Sequence, residues 1–82
     1  MEDHRIKIGE IFNLIENRNS KKANEAVNEF EAEAFKYLQR GETVVVITRD
    51  DFEIPLKERA DLDSVLSFLR FCIHIYIPAF DK

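Results

Sequence analysis

The sequence predicts an α+β fold, and three observations lead there. Residues 8–38 carry apolar side chains at helical spacing, residues 43–56 hold a β-branched run and then an alternating segment, and residues 62–77 return to an apolar pattern. The expected order is an N-terminal antiparallel helical hairpin, a short β-hairpin and a C-terminal apolar helix. All 82 residues are expected to form a single compact domain spanning 1–82.

Ile8, Ile11, Phe12 and Ile15 fall at i, i+3, i+4 and i+7, which gives a helix one buried stripe, and Leu14 widens it. Asp3 is the expected N-cap, since its carboxylate can accept from the free amides of the first turn. The segment Asn17-Arg18-Asn19-Ser20, which combines weak helix formers with turn formers, should end this helix near Asn17. Ser20 is then expected to cap a longer second helix, in which Ala23, Val27, Phe30, Ala34, Tyr37 and Leu38 repeat the period. Gly41 stands where a left-handed residue would end it.

Residues 43–48 are β-branched throughout, and the four consecutive apolar residues 44–47 imply burial on both faces. Asp50 and Asp51 supply a tight turn. Phe52, Ile54 and Leu56 alternate with Glu53 and Pro55 as a half-buried second strand, and Pro55, lacking an amide donor, places it at a sheet edge. Leu62, Val65, Leu66, Leu69, Ile73 and Tyr76 suit a helix capped by Asp61 or Asp63 and stopped by Pro78. Residues 71–77 also alternate like a strand, so a third strand at the end of the chain is the alternative. In the helical reading Phe68, Phe71 and Ile75 form a second apolar face that a second subunit could cover, which makes homodimerisation an expectation. It would also leave the Val-rich strand with an open edge.

Composition narrows the function classes. The chain has 12 basic and 16 acidic residues, a net charge of −4, so neither half shows the basic excess that drives nucleic-acid binding. The single cysteine, Cys72, cannot close an internal disulfide, and the first residues lack the apolar core of a signal peptide. The longest apolar stretch is far short of the ~20 residues of a membrane span. These features suggest a cytoplasmic protein, and the residue usage suggests a low-GC bacterium or one of its phages.

Glu25, Glu29 and Glu33 recur every four residues as one acidic stripe, and Asp50, Asp51 and Glu53 cluster at the hairpin tip. Both are candidate partner-binding surfaces for a basic protein, although solvated helix faces and turns also account for them. Asp50, Asp51, Glu53, Asp61 and Asp63 lack EF-hand spacing and its glycine, and Cys72, His74 and His4 lack zinc spacing, so no metal or cofactor is expected. Nothing orients His74 as a base for Cys72, and no catalytic residues are assigned. Arg18, Lys21 and Lys22 around the start of the second helix are the alternative anion-binding site, where a nucleotide or other phosphate ligand would meet free amides. The resulting expectation is a non-enzymatic adaptor or inhibitor that binds another protein stoichiometrically, with DNA mimicry as one form of it. The alternative is a regulatory module for a phosphate ligand.

Overall fold

The structure is a computed structural model that describes residues 3–80, with side chains described as far as residue 75. The expectation placed on the side chain of Tyr76 lies outside the described side chains. The element order is β1 (Asp3–Lys7), α1 (Gly9–Glu16), α2 (Ser20–Leu38), β2 (Thr43–Ile47), β3 (Glu53–Leu56) and α3 (Arg59–Phe80). The α+β class and the succession of helical hairpin, β-hairpin and C-terminal helix are as the sequence predicts.

The first element is a correction. Asp3 does not cap a helix: it opens β1, which pairs in parallel with β2 from Asp3 opposite Thr43 to Lys7 opposite Ile47. The N-cap position of α1 is Ile8, which makes no side-chain cap. β1 turns only one apolar side chain, Ile6, toward the helices, so its period-two signal is too short to read locally. Its reason for being a strand lies in β2, far along the chain. The sheet order is β1-β2-β3, with β3 antiparallel to β2. β1 therefore covers the edge of β2 that the sequence left open, and α3 stays helical throughout residues 71–77 rather than supplying a third strand.

Partners across the sheet share a face. His4, Ile6, Val44, Val46, Ile54 and Leu56 face the helices, while Arg5, Lys7, Val45, Ile47, Glu53 and Pro55 face away. Val44 and Val46 join the core formed with Ile11, Ile15, Val27, Phe30, Leu62, Leu66 and Leu69. Val45 and Ile47 are buried as well, on the face that points away from the helices. Arg5 donates to both carboxylate oxygens of Glu53, at 3.0 and 3.3 Å, and this pair straps the outer face diagonally across β2. The aliphatic stems of such side chains shield apolar surface while their charges stay solvated.

Pro55 fits the edge position expected of it. Thr48 N–H donates to the Phe52 carbonyl at 2.9 Å, so the alternation of the antiparallel ladder puts Pro55 opposite Val45 at a pair that exchanges no hydrogen bonds. The half-buried character expected of this strand holds only at Leu56, because Ile54 is 38% and Phe52 68% exposed. The turn before it places Asp51 at φ 65°, in the left-handed region that aspartate tolerates better than most residues.

Both helices of the hairpin end in the same arrangement. At the end of α2, Glu42 N–H reaches the Tyr37 carbonyl and Gly41 N–H the Leu38 carbonyl, with Gly41 at φ 77°. At the end of α1 the corresponding bonds run from Asn19 to Leu14 and from Arg18 to Ile15, but the left-handed residue is Arg18 at φ 58°. The start of α2 also differs from expectation by one residue. Asn19, not Ser20, is the cap, its side-chain oxygen accepting from Lys22 N–H at 3.3 Å. Asn19→Ala is expected to lower stability by about 0.5–2 kcal/mol in urea unfolding, whereas Ser20→Ala should change it little.

α3 starts at Arg59, so neither Asp61 nor Asp63 is its N-cap. Asp61 lies in the first turn and reaches back to accept from Lys57 and Glu58 N–H at 2.9 and 3.0 Å. Asp63 instead accepts from Arg59 Nε at 2.8 Å. The helix also runs through Pro78 to Phe80 rather than stopping there.

Candidate functional site

α2 and α3 lie side by side and antiparallel. Arg59 at the start of α3 stacks over the Phe35 ring at 4.7 Å and donates to Glu31 at 2.8 Å, while Arg70 donates to the same carboxylate at 2.8 Å and to Asn28 at 3.4 Å. Glu31 is thus the acid that couples the two helices. It falls off the Glu25, Glu29 and Glu33 stripe, so helical spacing does not single it out. Its partners come from another element, and local spacing carries no sign of them.

Hydrogen bonds from Arg70 and Arg59 hold the Glu31 carboxylate below its ordinary range, and the Lys57 and Glu58 amides do the same for Asp61. A carboxylate whose folded pKa is depressed contributes stability above its unfolded pKa, near ~4, and that contribution is lost as pH falls through the folded value. Thermal melts should therefore show the protein losing stability on acidification below about pH 4. Glu31→Gln should melt lower than the parent at pH 7 and converge with it at the acid end. Parallel curves at all pH values would refute the coupling.

With its inner seam of Leu62, Leu66, Leu69 and Ile73 buried against the core, α3 leaves its other face uncovered. Phe68 is 56%, Phe71 61% and Ile75 45% exposed. Their spacing of three and four residues keeps them on one ridge of the helix. The Phe12 ring of α1 lies 6.4 Å from that of Phe68, extending the apolar surface onto a second element. On the other flank, a shallow groove of about 590 Å³ is lined by Asn24, Ser67, Arg70, Phe71, Ile73 and His74.

The acidic candidates separate. Glu25, Glu29 and Glu33 are exposed along α2 and form no ion pair among the described residues. Asp50 and Asp51 are exposed at the hairpin tip. Glu53 does not belong with them, because it is committed to Arg5 on the outer face of the sheet. Arg49, beside these acids, pairs with Glu16 and stands over the Phe12 ring at 5.9 Å.

Arg18, Lys21 and Lys22 do gather at the start of α2, and all three are exposed. The Lys22 amide there is already taken by Asn19. Cys72 is buried in the core, and burial pushes its thiol up. His74, two residues on, is exposed. His4 is remote from both in its contacts: it stacks on Tyr37 with ring centroids 3.6 Å apart and planes nearly parallel, with Nε2 standing 2.7 Å from Glu42 Oε1. Among the described residues, no three His, Cys, Asp or Glu side chains stand close enough to share a metal ion.

The fold and its surface define a small α+β domain: three helices on one face of a three-stranded sheet, with an apolar ridge on its last helix and an acidic stripe on its second. Comparison with protein-family models, curated proteins and solved structures gives no match for this chain. No helix among the described residues is long and apolar enough to cross a membrane.

Proposed function

We propose that this protein acts by stoichiometric binding to another protein, as a small adaptor or inhibitor without chemistry of its own. The observation that carries this reading is the ridge of Phe68, Phe71 and Ile75, with three large apolar side chains exposed together on one helix face. Single exposed apolar residues are ordinary, but a contiguous group of this kind marks an interaction surface. The exposed acids Glu25, Glu29 and Glu33 favour a partner with a basic surface, because opposite potentials steer encounter and suppress wrong partners. DNA mimicry by the stripe is a special case of the same reading.

The test is affinity capture from nuclease-treated lysate with the parent, Phe71→Glu and Glu29→Lys proteins, read by mass spectrometry. The expected result is one dominant partner, with recovery reduced at least ~10-fold by Phe71→Glu, as for a residue at the centre of an interface. Glu29→Lys should weaken capture in a salt-dependent way. Equal recovery by all three proteins would exclude both surfaces. Sedimentation of the parent and Phe71→Glu at micromolar concentration separates a homodimer from a heterologous complex, since only the former shifts without lysate. A rise in melting temperature with millimolar nucleotide, lost in Lys21→Ala/Lys22→Ala, would favour the phosphate-ligand alternative instead.

A further inference from the structure

We draw no further inference here: the strongest candidate, the exposed ridge of Phe68, Phe71 and Ile75 on the outer face of α3, belongs to the surface already described, and nothing in the structure shows what covers it.

Discussion

Leu69→Ala is expected to destabilise the protein by about 2–5 kcal/mol, whereas Phe71→Ala, two residues along the same helix, should change stability by no more than about 0.5 kcal/mol. Leu69 has no exposed surface and packs in the central cluster, so truncation opens a cavity that the surrounding core cannot close. Phe71 is mostly in water already, and removing its ring gives up little folded-state burial. Urea unfolding followed by circular dichroism would measure both. A domain of this size has only a few kcal/mol to spare, so the Leu69 variant should sit near its midpoint in water. Comparable losses for both variants would mean that the outer face is covered, and that the proposed binding surface is part of the fold. An opposite ranking would place the core on the other side of α3.

Deletion of residues 1–7 is expected to abolish the cooperative unfolding transition. Without β1, a two-stranded hairpin remains, which is marginal in water, and the Val-rich β2 gains a bare edge. Ile6 also packs against the core, and His4 ties the strand to α2 through Tyr37 and to the β2 approach through Glu42. Loss of the Arg5–Glu53 strap would further uncover Val45 and Ile47. The truncated chain should aggregate on purification or melt without a sigmoidal transition. Ile6→Ala, a milder version of the same experiment, should cost about 1–2 kcal/mol, below the range for a fully buried isoleucine because Ile6 is half-buried. A truncated chain with the parent's melting curve would show that residues 3–7 do not pair with β2.

The helices were legible because each is written in its own residues. The stripe from Ala23 to Ala34 buries as its period predicts, and Gly41 takes the left-handed conformation for which its position suits it. The seam from Leu62 to Ile73 likewise resolved the ambiguous last segment as helix. A run of heptad-like apolar spacing extended over three turns outweighs a short alternation. Phe68, Phe71 and Ile75 were recognisable as a second apolar face for the same reason, and the structure places them at the surface of α3.

β1 was not legible because a five-residue strand with one inward apolar residue carries almost no periodic signal, and its stability comes from Val44, Val45 and Val46 opposite it. The pairings of Glu31 and Glu53 were not legible for a related reason. Both acids pair with arginines from other elements, Glu31 with Arg59 and Arg70 and Glu53 with Arg5, and spacing within one element carries no sign of such partners. The end of α1 was legible in residues 17–20, but not that Arg18 would take the left-handed position there, which glycine or asparagine usually occupies.

By itself the sequence determined the α+β class, the positions of the long helices and the central Val-rich strand, and the two apolar faces of α3. These follow from side-chain periodicity within single elements, where residues three or four apart must share a face. Only the tertiary structure decided that the first residues form a strand, which edge of β2 they cover, and which charged groups are committed to partners rather than left in water. Those choices are made between segments distant in the chain, where pairing energy depends on what the other segment offers and no local pattern records it.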